Sequence, residues 1–434
     1  MNVNLDTLLL HLAQFAPDRA RENALLLCCL PGDRQRQLWA TQLADPGLDW
    51  TYVLNQANDH GLMPLLYRQL VSLTHANHFV STLVKTKLEK DFTDRTYFNL
   101  GVTLELLKLL RLFQAEGIPV LTFKGPVLAQ FIHANLSLRQ FIDLDLLVHQ
   151  AQLPQAIDLL TTEGYIPGVV DLTPAQQAYY TRYFHEFTFV HPEKGVQIDL
   201  HWELIRQHFS FSPPPELAWE NSISVKIGGQ NVSTLSRELL VLYLCTHAAK
   251  ENWSSLNTLY DLTCVINPPA GVNENGALHW DWITTHAGQL GTKRMLHLGL
   301  YLAHELLGTE VPASILAEIQ QDQASCGQSE SIIALALEVQ RQLFAPPAAE
   351  LATFSASHLF IKSMERWQDR YWYWLDVITT PTLADWQALP LPAALTFLYY
   401  PIRLSRLLYK YLLKVLLGST LIRRQQKNTK EGPS

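Results

Sequence analysis

Phe141-Ile142-Asp143-Leu144-Asp145-Leu146-Leu147-Val148 is the stretch that decides how this chain folds. Side chains alternate between the two faces of a strand, so a strand over 141–148 puts Phe141, Asp143, Asp145 and Leu147 on one face. Ile142, Leu144, Leu146 and Val148 fall on the other. Two carboxylates at i and i+2 repel each other and are costly to bury unless a cation neutralises them. Oxygen-only ligands suit magnesium or manganese, which keep several waters and bind through one or two carboxylates plus substrate phosphates. The plainer alternative is a strand end whose acids are solvated or paired with Arg139.

Working outward, Val196-Gln197-Ile198-Asp199-Leu200-His201-Trp202 sets another acid in an apolar strand. Adjacency in one sheet would make Asp199 a third ligand beside Asp143 and Asp145. Upstream, Ile118–Phe123 has the length and composition of a buried strand, and Lys124-Gly125-Pro126 ends it. Val127–His133 then reads as a helix with Pro126 at its first position. A strand–glycine turn before a helix offers free backbone N–H groups and the helix dipole to phosphate. Lys124 adds a point charge there, and Arg139 can supply a bidentate phosphate contact. Leu153–Glu163 is the next helix, closed by Gly164, and Tyr165–Val170 the next strand. Phe187–Val190 and Val196–Trp202 form a hairpin around His191-Pro192-Glu193-Lys194-Gly195. Residues 118–202 therefore read as a compact α/β unit.

The order Lys124-Gly125, Leu138-Arg139, Asp143-Leu144-Asp145-Leu146-Leu147-Val148 and Ile198-Asp199-Leu200-His201-Trp202 resembles the uncharacterised nucleotidyltransferase family of the DNA polymerase beta-like superfamily. Asp49-Trp50, His60-Gly61-Leu62, Pro64-Leu65-Leu66-Tyr67, His247-Ala248-Ala249-Lys250, Trp253 and Asp261 are similar to that family's flanking helical stretches. The resemblance covers roughly residues 5–265. It implies an α+β fold, with a small mixed β-sheet core between helical regions. It also implies Asp143 and Asp145 as ligands of catalytic Mg2+ (or Mn2+), with Asp199 as the third acid. The nucleotide would lie against Lys124, Gly125 and Arg139. The implied reaction moves a nucleoside monophosphate from a nucleoside triphosphate to an acceptor hydroxyl and releases pyrophosphate. One departure stands out: Lys124-Gly125-Pro126 replaces the superfamily's glycine-serine turn, so no hydroxyl follows the glycine. That departure keeps open a rival reading, a nucleotide-binding or partner-binding scaffold of the same fold without turnover.

The rest of the chain sets bounds. With 48% hydrophobic and 17% charged residues, the 434-residue chain is globular rather than disordered. A net charge of −7 excludes a general attraction to nucleic acid. Five scattered cysteines, Cys28, Cys29, Cys245, Cys264 and Cys326, fit reduced thiols in a cytoplasmic protein. The first sixteen residues hold Asp6 and no basic segment, unlike a secretory signal, and Trp386–Ile402, with three prolines, falls short of a membrane span. The expected organisation is a helical region over 1–95, the nucleotidyltransferase-like core over 96–205, a helical C-terminal domain over 206–426 and a disordered tail over 427–434.

His201, two residues after Asp199, and His247, on a helix near Lys250, are accessory candidates for proton transfer. A structural role is the alternative for each. His304-Glu305-Leu306-Leu307-Gly308 lacks the second histidine of a zinc-protease helix. Arg366-Trp367 and Arg370-Tyr371-Trp372-Tyr373-Trp374 interleave cations and aromatics, which suits base stacking but suits helix packing better. Arg403, Arg406, Lys410 and Lys414 make a basic amphipathic helix. Its expected roles are packing on its own domain, or a peripheral membrane or protein contact through residues 395–424 that would make the chain an adaptor.

Overall fold

A computed structural model describes residues 4–30, 34–72, 80–168, 173–206, 213–269, 271–272, 276–325, 330–344, 352–389, 391 and 393–409. The acidic strand belongs to a five-stranded mixed sheet of β1 (Leu121–Thr122), β2 (Asp143–Leu147), β3 (Ile166–Pro167), β4 (Glu186–Val190) and β5 (Gln197–His201). The spatial order is β1-β2-β5-β4-β3. β2 and β5 run parallel with Asp145 opposite Asp199, and the other neighbours pair antiparallel. Thr188 and Glu186 of β4 stand opposite Asp199 and His201.

This register sorts the sheet into an apolar and a polar face. Leu144, Leu146, Phe187, Phe189, Ile198 and Leu200 alternate onto one face and are buried in a core with Val102, Leu106, Leu109 and Phe113. Asp143, Asp145, Glu186, Thr188, Gln197, Asp199 and His201 share the other. The strands expected over 118–123 and 165–170 shorten to β1 and β3, and residues 169–170 lie outside the described residues.

The helices before the sheet are α1 (Leu5–Ala13), α2 (Ala20–Cys29), α3 (Arg34–Leu43), α4 (Trp50–Asp59), α5 (Met63–Ser72) and α6 (Thr82–Ala115). Within the core come α7 (Gly125–His133), α8 (Leu153–Thr162) and α9 (Pro174–Tyr183). α10 (Pro215–Glu220) precedes a hairpin of β6 (Ser222–Ile227) and β7 (Gln230–Leu235). After it come α11 (Arg237–Lys250), α12 (Leu256–Ile266), α13 (Trp280–Leu290), α14 (Lys293–Leu307), α15 (Ala313–Ser325), α16 (Ile332–Phe344), α17 (Ala352–Ser363), α18 (Trp367–Thr379) and α19 (Leu383–Ala388). The β6–β7 hairpin lies within the span expected as a helical C-terminal domain over 206–426. Val225, Ile227 and Val232 share the inward face there, while Ser224, Lys226, Asn231 and Ser233 are exposed on the other.

A second core runs from Leu8 through Met364 and joins the N-terminal helices, α7, β6–β7 and the C-terminal helices. The 34-residue α6, capped by Ser81 accepting from the Val84 N–H, belongs to both cores. Val84 and Leu88 lie in one, Val102, Leu106 and Phe113 in the other, and Leu110 packs against both. Cys28, Cys29, Cys245 and Cys264 are buried and form no disulfide among the described residues, and Cys326 lies outside them. Among the described residues no helix is long and apolar enough to cross a membrane. Residues 399–409 are helical, and Arg403 and Arg406 both turn back onto Asp385. The remainder of the expected basic helix, including Lys410 and Lys414, lies outside the described residues, as does the expected disordered tail over 427–434.

Candidate active site

The turn between β1 and α7 sets the site's floor. Gly125 opens α7 at φ +53°, a left-handed conformation that other residues adopt at a cost. A Cβ there would lie 3.0 Å from the Asp143 carbonyl oxygen, so glycine is also what lets the turn close on β2. Lys124, the residue before, reaches across and donates from Nζ to Asp145 Oδ1 at 3.1 Å. Its ammonium also lies 5.6 Å from the ring centre of Tyr243, on α11. Burial opposes that charge, but Asp145 and Tyr243 outweigh it and raise the lysine pKa.

The three acids occupy graded environments. Asp145 is 1% exposed, whereas Asp143 and Asp199 are half-buried. Burial works against ionisation of Asp145, yet Lys124 and His201 hold its carboxyl well below the usual carboxylate range. Burial and then the charge of Asp145 push Asp143 up to about 6, against the pull of Lys124. Burial also raises Asp199, which accepts from Thr188 and from Gln197 Nε2 at 3.3 and 3.4 Å. Asp145 Oδ1 is taken by Lys124 and by His201 Nε2 at 3.3 Å, while Oδ2 is buried with no hydrogen-bond partner. A buried orphan oxygen on a face that carries two further carboxylates is the oxygen chemistry a hard divalent cation takes, although among the described residues only His185, Glu186 and His201 bring three ligand atoms within 4.8 Å of one another.

Arg139 takes a different place from Lys124. Its Nε and one terminal nitrogen both lie 3.0 Å from Asp261 Oδ2, in a pair that is almost wholly buried. Asn99 Nδ2 fixes the same residue by donating to its carbonyl oxygen. The guanidinium is therefore anchored to α12, and Asp261 orients it. His247 stacks on Tyr243 with ring centres 5.6 Å apart, and burial followed by the Lys124 charge pushes its pKa well below the usual histidine value.

His201 connects the acids to residues that sequence reasoning passed over. Its Nδ1 lies 3.3 Å from Glu186 Oε2, and the same oxygen lies 3.3 Å from His185 Nε2. Burial and then His201 hold His185 well below the usual histidine pKa. Glu186 is missed when the strand is started at Phe187. The alternation of Glu186, Thr188 with Phe187, Phe189 was the signal that could have placed it on the acidic face. Tyr243 carried no comparable signal, because it sits in an apolar helical run.

The family described as uncharacterised nucleotidyltransferase matches residues 46–308, a span that holds β1 to β7, the three acids, Lys124, Arg139 and Asp261. No curated protein and no solved structure matches the chain. With well over half of its residues in that match, the chain belongs to the uncharacterised nucleotidyltransferase family.

Proposed function

We propose that the chain transfers a nucleoside monophosphate from a nucleoside triphosphate to an acceptor hydroxyl, releasing pyrophosphate. The observation that supports this reading is that Asp143, Asp145 and Asp199 share one face of the parallel β2–β5 pair, with Asp145 Oδ2 buried and unpartnered. Asp143, Asp145 and Asp199 would hold divalent magnesium or manganese. Bound there, it supplies positive charge to the triphosphate oxygens.

The chain's own groups divide the remaining work. The acceptor oxygen attacks the α-phosphorus in line, the bond to the β-phosphate oxygen breaks, and pyrophosphate leaves. Asp199, whose pKa burial raises, takes the acceptor's proton. Lys124 and the N-terminus of α7 offset charge on the leaving phosphates. Arg139, anchored by Asp261, contributes a fixed positive field. His201 and His247 position Asp145 and Tyr243 respectively.

Binding without turnover is the second reading, and two observations favour it: Pro126 stands where a hydroxyl would follow the glycine, and Arg139 is committed to Asp261. The deciding experiment incubates the full chain with each labelled nucleoside triphosphate, Mg2+ and a cell extract. Transfer predicts a labelled product together with pyrophosphate release that falls 10²–10³-fold or more in Asp143→Asn, a magnitude on the order of losing one preorganised charged group. Triphosphate binding with no label transferred under varied metals and acceptors would overturn the enzyme reading in favour of the scaffold.

A further inference from the structure

From the arrangement of His185, Glu186 and His201 we infer a second cation site, separate from the three acids and built for a nitrogen-preferring transition ion such as Zn2+. His185 and His201 are 7% and 3% exposed, and Glu186 is half-buried. One ligand atom from each of the three lies within 4.8 Å of the others. Glu186 Oε2 stands 3.3 Å from both His185 Nε2 and His201 Nδ1. Ligands placed tetrahedrally at about 2.0–2.1 Å from one zinc ion stand about 3.3–3.4 Å apart, so two of the three edges already have the length such an ion imposes.

The hydrogen bonding of His201 points the same way. His201 Nε2 lies 3.3 Å from Asp145 Oδ1, the oxygen that also holds the Lys124 ammonium. His201 Nδ1, on the far side of the ring, is buried without a hydrogen-bond partner. It faces the Glu186 carboxylate at 3.3 Å. A metal ion between the ring nitrogen and the carboxylate would give both a partner. The Asp145–His201 contact also has the form of a carboxylate that orients a metal-binding imidazole from behind.

Three protein ligands leave a fourth tetrahedral position, which water or a substrate oxygen can fill, and half-exposed Glu186 gives a path for entry. The site differs in kind from the acid cluster, since oxygen-only donors select magnesium while imidazoles select zinc, cobalt or copper. Through His201 the two sites share one residue of the β2–β5 pair, so an ion on the imidazoles would hold Asp145 in place from below.

The test uses the metal-free full chain with Co2+ or Zn2+ as the probe, in excess Mg2+ to fill the acid cluster. One retained ion per chain, with two imidazoles in its X-ray absorption spectrum and a tetrahedral Co2+ visible band, is the expected result. His185→Gln should weaken retention at least 10–100-fold, the scale reached by losing even an orienting partner. Glu186→Gln serves beside it, and unchanged metal-free unfolding midpoints establish that both variants fold. Asp143→Asn should keep the imidazole spectrum while losing nucleotidyl transfer, so failure of either reading is seen apart from the other. No retained ion, an ion with only oxygen neighbours, or full retention in both the His185 and Glu186 variants would overturn the site.

Discussion

Arg139 and Asp261 show what a buried charge demands at the level of single residues. Their side chains are 10% and 2% exposed, and Asp261 Oδ1 has no partner besides. Removing the arginine alone strands an acid in the interior. Arg139→Met should therefore cost about 3–5 kcal/mol in urea unfolding, and Arg139→Met with Asp261→Leu should recover much of it. Asp143 gives a second expectation, with a definite sign. Its carboxyl is raised to about 6, so above that pH it carries charge for a cation and below it a proton competes. Mg2+ affinity should fall as pH drops through about 6. Calorimetric titration near that pH should register proton release on binding, and Asp143→Asn should abolish the release. The acids themselves were legible because strand alternation is a strict rule: Asp143 and Asp145 are two apart, and Asp199 repeats the pattern. Pairing was not legible. Nothing in the local sequence of Arg139 says that Asp261, over a hundred residues on, will hold it.

The β1–α7 turn carries its own prediction at the level of elements. Gly125→Ala puts a side chain in the left-handed region, at about 1–2 kcal/mol, and presses it on the Asp143 carbonyl. Unfolding should shift by that amount, and pyrophosphate release should fall more steeply than stability alone explains, because the displaced strand carries the acids. Helices with one apolar stripe, such as α4 and α8, follow from spacing in the sequence, as do β2 and the β4–β5 pair. β1 and β3 keep only two residues each, because long pairing partners lie on one side alone. β6 and β7 escaped notice for a related reason. Each offers few inward apolar side chains, and Gly228-Gly229 between them is the sole strong turn mark.

For the whole molecule, the sequence reading of helical regions around a small sheet matches the α+β architecture. What periodicity alone could not convey is that the helices before and after the sheet pack into one core, since long-range contacts leave no trace in local spacing. α6 extends about 50 Å at the helical rise and walls both interiors. Neither interior can melt while the other keeps its shared wall, so heating should register as a single endotherm rather than two. A separate early transition from the sheet side would mean that this helix frays at its middle. Because the wall is common, a lesion among the N-terminal helices should also loosen the floor of the candidate site from afar, and a chain shortened to its sheet would be left without half its own lining.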